Sequence, residues 1–157
     1  MTDFSALYKK YAPDVFRFAL YLSGDRSQAE DITSETFVRA WTSPELIEVA
    51  TVKGYLFTIA RNLFLQGLRK KSRQVQLDGD LPDPQPSPYV QAELKQEFRA
   101  MLGGLQELPE IDRSALLMRA LDGMPYEEIS RALGISLSSA KVKIHRARLA
   151  LAGIRNG

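Results

Sequence analysis

Residues 126–151 read YEEISRALGISLSSAKVKIHRARLAL, and the pattern in this stretch decides the fold. Residues 127–133 place Ile129, Ala132 and Leu133 on one face of a short helix. Gly134 follows, and glycine enters the left-handed conformation that closes a helix at little steric cost. Ile135 turns back toward the interior, and Ser136 carries the side chain of a good N-cap. In the second helix Leu137, Ala140, Ile144, Ala147 and Leu151 recur at three- and four-residue steps, which gives one buried stripe. Lys141, Lys143, His145, Arg146 and Arg148 fall off that stripe. One reading is a solvated amphipathic helix closing a bundle. The other is a helix-turn-helix whose basic second helix enters the major groove of duplex DNA. The turn chemistry and the acid-free second helix favour the groove.

Charge along the 157 residues is segregated, although the formal total is only +2. Residues 1–50 sum to −3, 51–77 to +6, 78–112 to −6 and 113–157 to +5. Two basic blocks separated by an acidic one point to two contacts with a polyanion and a connection that avoids it. The sequence has no cysteine and a single histidine. That excludes disulfides, thiolate metal sites, a cysteine nucleophile and a histidine-based metal cluster. The start, MTDFSALYKK, is polar and helical instead of basic then apolar, and no run approaches the roughly 18 apolar residues of a membrane span. These features predict a soluble cytoplasmic protein that needs no cofactor and is not an enzyme.

Outward from the helix-turn-helix, the pattern predicts helices throughout. Residues 4–22 carry Phe4, Leu7, Tyr8, Tyr11, Val15, Phe18, Ala19 and Leu22 on a wide apolar face, with a kink or break expected at Pro13. Ser23-Gly24-Asp25 is a turn, and Asp25 or Ser27 caps the next helix, residues 28–41. There Ala29, Ile32, Thr36, Phe37, Ala40 and Trp41 should point inward. Glu30, Asp31, Ser34, Glu35 and Val38 form an outward acidic strip, either a solvated face or a dock for a basic partner helix. After a loop over 42–51, a long helix is predicted from 52 to 71. Tyr55, Leu56, Ile59, Ala60, Leu63 and Leu68 form its inward stripe, with Phe57 and Phe64 read as core. Lys53, Thr58, Arg61, Asn62, Gln66, Arg69 and Lys70 lie away from the core, a basic face suited to single-stranded nucleic acid.

Residues 74–89 are a linker. Pro82, Pro84, Pro86 and Pro88 alternate in LPDPQPSPY, which forbids helix and favours extended polyproline II. Residues 90–105 are amphipathic again, with Gly103-Gly104 weakening their end. Pro109 stands near the start of a further helix that runs to Asp122-Gly123. The expected fold is all-α: two small helical domains, 1–73 and 90–157, on a flexible Pro-rich tether over 74–89.

Three motifs in this order resemble the extracytoplasmic-function (ECF) class of bacterial sigma factors, the promoter-specificity subunits of RNA polymerase. AEDITSETFVRAW resembles the family's region 2.2, and GYLFTIARNLFLQGLRKK its regions 2.3 and 2.4. LPEIDRSALLMRALDGMPYEEISRALGIS with KVKIHRARLAL resembles its region 4. The resemblance implies that Asp31, Ser34, Glu35, Val38 and Arg39 grip a coiled coil of core RNA polymerase. It implies that Lys53, Arg61 and Asn62, with Arg69 and Lys70, hold the melted minus-10 strand of promoter DNA. It further implies that Ser138, Ser139, Lys141, Val142, Lys143, His145, Arg146 and Arg148 face the minus-35 duplex, and that an anti-sigma factor holds the protein inactive. The family often has glutamine at the position of Ser34, and Asp-Arg at Gln66-Gly67. Val142 faces outward, either as an incidental exposed valine or as a contact to a thymine methyl. A sigma-like decoy would not need these cations, and a free-standing repressor would not need the acidic strip.

Overall fold

The computed structural model describes residues 3–42, 49–78 and 95–156. Seven helices follow one another: α1 (Phe4–Ser23), α2 (Arg26–Thr42), α3 (Val52–Asp78), α4 (Gln96–Glu107), α5 (Glu110–Asp122), α6 (Tyr126–Leu133) and α7 (Leu137–Asn156). Among the described residues there is no strand.

Local chemistry sets the helix ends. The Asp3 carboxylate accepts from the Ala6 N–H at 2.7 Å and caps α1. Asp25 does the same for α2, accepting from Gln28 N–H at 3.2 Å. The Thr51 hydroxyl accepts from Gly54 N–H at 2.9 Å and starts α3, and Ser136 accepts from Ser139 N–H at 3.1 Å to start α7. Each cap answers a donor that has no partner inside its helix. Gly134, between α6 and α7, takes φ +67°, the left-handed turn that the helix-turn-helix reading requires.

Three expectations about element bounds change. α1 runs unbroken through Pro13. The proline removes one backbone hydrogen bond, but Val15, Phe18, Ala19 and Leu22 are fully buried and hold the helix against its neighbours. α3 continues to Asp78, past the expected end at 71, so residues 74–78 are helical and not linker. QVQLD contains no proline or glycine, and the first breaker is Gly79. α4 passes through Gly103 and Gly104 to Glu107, with Gly104 buried where helices meet. The proline-rich stretch 79–89, the expected helix start over 90–94 and loop residues 43–48 lie outside the described residues.

The interior is continuous. Val15, Phe18 and Leu22 of α1, Phe37 of α2 and Phe57 of α3 join one buried cluster with Leu105 of α4, Met118 of α5, Ile129 of α6 and Ile144 of α7. Phe18 and Phe57 stack with ring centroids 4.3 Å apart at its centre. The sequence left the mutual placement of the two helical halves open. In the structure α4 and α5 pack against α1 and α3, so the halves meet face to face.

The C-terminus of α1 makes that junction. The last carbonyls of a helix lack partners within it, and here the second half supplies them. Gln106 Nε2 donates to Tyr21 O at 2.8 Å, and Arg113 Nη1 donates to Leu22 O. A guanidinium at a helix C-terminus also meets the negative end of the helix dipole. Burial of so much of Arg113 pulls its pKa below the ordinary arginine value, with the Glu110 charge pulling the other way.

Candidate nucleic-acid and partner surfaces

Three surfaces carry the predicted functional residues. On α2, Asp31, Ser34, Glu35 and Val38 are exposed along one strip. Arg39, at its edge, is half-buried; its Nε lies 3.7 Å from Glu35, and its Nη2 donates to Gln66 Oε1 at 3.4 Å. Trp41 was expected inward but is 49% exposed. It stands near the end of α2, where the start of α1 offers only the edge of Phe4, 5.7 Å away between centroids. Tyr8, also exposed, meets Phe37 at 5.0 Å. Val38, Trp41 and Tyr8 therefore extend the acidic strip with an apolar, aromatic end. The signal in the sequence was two i, i+4 aromatic pairs, Phe4–Tyr8 and Phe37–Trp41.

On α3 the expected basic face is divided. Arg69 and Lys70 are exposed, and so is every side chain from Gln66 to Gln74. Leu68 belongs to this exposed run, 41% accessible, and not to the inward stripe: α3 outruns the helices that pack on it. Closer to the start of α3, residues 56–61 are buried in succession. Thr58 is buried, contrary to expectation, with its hydroxyl donating to Gly54 O at 2.8 Å. Asn62 is half-buried. Lys53 is half-buried, and its Nζ donates to Leu121 O at 3.5 Å.

Arg61 is the largest correction. Expected away from the core, it is 8% exposed. Its Nε donates to Glu110 Oε2 at 2.8 Å and its Nη2 to Glu110 Oε1 at 2.9 Å. Nε also lies 3.2 Å from the Ser114 hydroxyl, which itself donates to Glu110. Two parallel guanidinium–carboxylate bonds are the strong geometry for this pair. Burial alone would raise the Glu110 pKa, but hydrogen bonds from Arg61 and Ser114 and the charges of Arg61 and Arg113 outweigh it, and the carboxyl lies below its ordinary value. A buried guanidinium is costly without such a partner, which is the physical reason Arg61 turns to α5.

On α7, Ala140, Ile144 and Ala147 form the buried stripe, while Leu137 is 37% exposed because it opens the helix beyond the reach of the core. Ser138, Lys141, Val142, His145, Arg146 and Arg148 are exposed; Ser139 and Lys143 are half-buried. Lys141 lies 5.8 Å over the Tyr126 ring. Arg146 reaches back to α5, where its Nε and Nη2 contact Asp112 Oδ2 at 2.9 and 2.8 Å. Asp112 is 1% exposed, so its charge is balanced by a guanidinium that is itself mostly in solvent. Sequence reasoning did not single out Asp112, Glu110 or Ser114. IDRSA offers no local sign that its polar residues would all be turned inward.

Comparison with known proteins follows the same division. Residues 7–74 match the family model for sigma-70 region 2, and residues 98–151 the one for sigma-70 region 4. The ECF RNA polymerase sigma factor SigM of Bacillus subtilis is 34% identical over 155 residues, covering 96% of this chain and 93% of that protein. SigE of Mycolicibacterium smegmatis, also an ECF sigma factor, is 34% identical over 94% of this chain, which spans 60% of its length. Among solved structures, the sigma factor RpoE in complex with the anti-sigma factor NepR from Bartonella quintana superposes with a TM-score of 0.80 at 27% identity, covering 99% of this chain and 98% of that one.

Proposed function

The chain belongs to the ECF family of RNA polymerase sigma factors, and from that premise we propose how its three surfaces divide the work of promoter-specific transcription initiation. The α2 strip of Asp31, Ser34, Glu35, Val38 and Arg39 binds core RNA polymerase. Lys53, Arg61, Asn62, Arg69 and Lys70 hold the melted minus-10 strand, where cations fix the backbone and a polar pocket accepts an unstacked base. The exposed face of α7 reads the minus-35 duplex, with Lys141, Lys143 and Arg148 placed toward phosphates and Ser138, Ser139, Val142, His145 and Arg146 toward base edges. The two helical halves, the first extended through α3 to Asp78, act as two binding units, with the intervening acidic, proline-rich stretch as their connection.

The observation that carries this reading is the exposed, acid-free outer face of α7 in the same chain as an exposed acidic strip on α2. A DNA reader alone does not need the strip, and a protein dock alone does not need the cations. The chain performs no bond chemistry in this scheme; the polymerase makes the phosphodiester bonds. Among the described residues no helix is long and apolar enough to cross a membrane, and work on promoter DNA places the protein in the cytoplasm. The likeness to RpoE solved with NepR supports an anti-sigma factor as the inhibitory partner here.

Run-off transcription with bacterial core polymerase and DNA from upstream of the chain's own gene tests the proposal. Transcripts that depend on this protein, lost with Glu35→Lys, are the expected result. Failure to bind core polymerase at all overturns it and leaves a decoy that only captures an anti-sigma factor.

A further inference from the structure

We propose that this chain carries its own inhibitor: the start of α5 occupies the strand-binding face of α3, with the Glu110 carboxylate on Arg61 in the place of a nucleic-acid phosphate. The inference rests on the reading of α3 as the minus-10 surface and adds its regulation.

Chemistry makes the two ligands mutually exclusive. The guanidinium fork recognises carboxylate and phosphate by the same pair of parallel hydrogen bonds. Glu110 takes both at 2.8 and 2.9 Å, and Arg61 keeps only 8% exposure. A strand that used Arg61 would have to displace α5 first. The neighbouring polar groups at the start of α3 and just before it are engaged by the same half of the molecule. Lys53 donates to Leu121 O at 3.5 Å, the Thr51 hydroxyl donates to Asp122 at 2.9 Å, and Ala50 N–H donates to Glu128 at 3.1 Å. Two carboxylates of α5 thus meet the basic, acid-free segment 51–77, and one of α6 meets Ala50 just before it.

The fit is close. A Cβ on Gly54 would lie 3.0 Å from both Asp122 Oδ2 and Met124 Cε, and one on Gly24 would lie 2.8 Å from Gln106 Cδ. Beside the shared apolar interior, the rest of the contact is polar, built from hydrogen bonds and ion pairs whose net strength is modest because water and phosphate can replace them. That suits a contact made to open. The α2 strip and the outer face of α7 stay exposed in the closed form. A partner on either surface can therefore engage before the strand face is uncovered. The apparent affinity for single strands is reduced by the fraction of molecules that are open.

The absence of cysteine allows the full chain to carry two spin labels, at Ser27→Cys on α2 and Ala150→Cys on α7, both exposed positions. Electron–electron resonance then reads the distance between the halves, and a fluorescent single-stranded oligonucleotide reads strand binding. Glu110→Ala should add long distances and raise strand affinity about tenfold, while Glu107→Ala, an equal charge change on an exposed site of α4, should do neither. Exchanging the pair, Arg61→Glu with Glu110→Arg, should restore the short distance and abolish the gain in strand binding. Long distances already present in the unaltered chain, or Glu110→Ala behaving like Glu107→Ala, overturn the closure. Opening without any gain in strand binding overturns instead the reading of α3, and with it the inhibitory role.

Discussion

The two basic helices treat the same residue types in opposite ways. On α7 Lys141 and Arg148 face water, and Arg146 stays mostly in solvent while it pairs with Asp112, because the helix is held by a narrow stripe of Ala140, Ile144 and Ala147. On α3 the early cations are drawn into contacts, because Leu56, Phe57, Ile59 and Ala60 are buried on successive positions and leave no free face. The difference lies in the number of neighbours. A helix packed on one side can display charge; a central helix must pair whatever charge it carries. Basic residues on an amphipathic pattern therefore do not by themselves mark an open binding surface.

The broadest way to break this comparison is to attack the interior that both helices share. Ile144 is 1% exposed within it. Ile144→Ala should cost about 3 kcal/mol through lost burial and the cavity left behind. Because the interior is continuous, both halves should unfold in a single transition at the lower temperature. A calorimetric trace with two transitions, only one of them shifted, would show that the halves are thermodynamically separate.

Next in size is a pair of arginine truncations. Arg61→Ala strands Glu110 beside α3 and should destabilise the chain by about 2 kcal/mol, less than a fully buried pair because the Glu110 side chain keeps 22% exposure. Arg148→Ala should change stability by no more than about 0.5 kcal/mol. On duplex DNA the order reverses. Arg148→Ala should lower the slope of log affinity against log salt by about one, whereas Arg61→Ala in the free chain should leave that slope unchanged. Urea melts and salt-dependent binding of the same two variants measure both halves of the contrast.

Acid sharpens the comparison further, since two carboxyls at the junction, Glu110 and Asp122, have pKa values shifted in opposite directions. The Glu110 carboxyl is held below its ordinary value, so its contribution is complete above the unfolded carboxylate range, near pH 4.3, and is lost as pH falls through the lower folded value. Asp122 works the other way: burial raises its pKa against the Thr51 hydrogen bond and the Lys53 charge, with Glu128 adding to the rise. Its ionised form weakens the folded state, a cost relieved as pH falls through the raised value. Stability should therefore fall on acidification less steeply than Glu110 alone dictates. Asp122→Asn should remove the opposing contribution and steepen the fall over the carboxylate range. An unchanged profile in that variant would mean that Asp122 ionises as freely in the fold as out of it.

Most of the fold was legible because it rests on local signals. Periodicity gave the helices, Gly134 and Ser136 gave the turn, and proline and glycine marked several boundaries. Pro13 misled because propensity is local, while Val15, Phe18 and Leu22 hold α1 through tertiary burial. Trp41 and Leu68 misled for the opposite reason: both fit an inward pattern but lie where no neighbouring helix reaches. The candidate surfaces on α2 and α7 could be read from periodicity alone, since one buried stripe defines what faces out. The burial of Arg61 could not. It depends on Glu110, 49 residues away in sequence, and on a packing of the two halves that no local pattern encodes. Asp112 and Arg146 were hidden in the same way, separated by 34 residues.

The smallest effect concerns Val142, which is 59% exposed on the outer face of α7. It lies between Ser138 and His145 at helical spacing, both exposed. So exposed a valine gains little from folding, and Val142→Ser should leave stability within about 0.5 kcal/mol. Any change in DNA recognition then belongs to the contact itself. If the valine methyls meet a thymine methyl in the groove, the substitution should weaken the preferred duplex by up to about 1 kcal/mol and have no effect on the same duplex carrying uracil at that position. Leu149, 61% exposed one heptad further along the same face, provides the control. Leu149→Ser should alter neither stability nor sequence preference if the groove is read from the N-terminal half of α7. Equal small losses from both variants on every duplex would reduce Val142 to an incidental exposed valine and leave base discrimination to its polar neighbours.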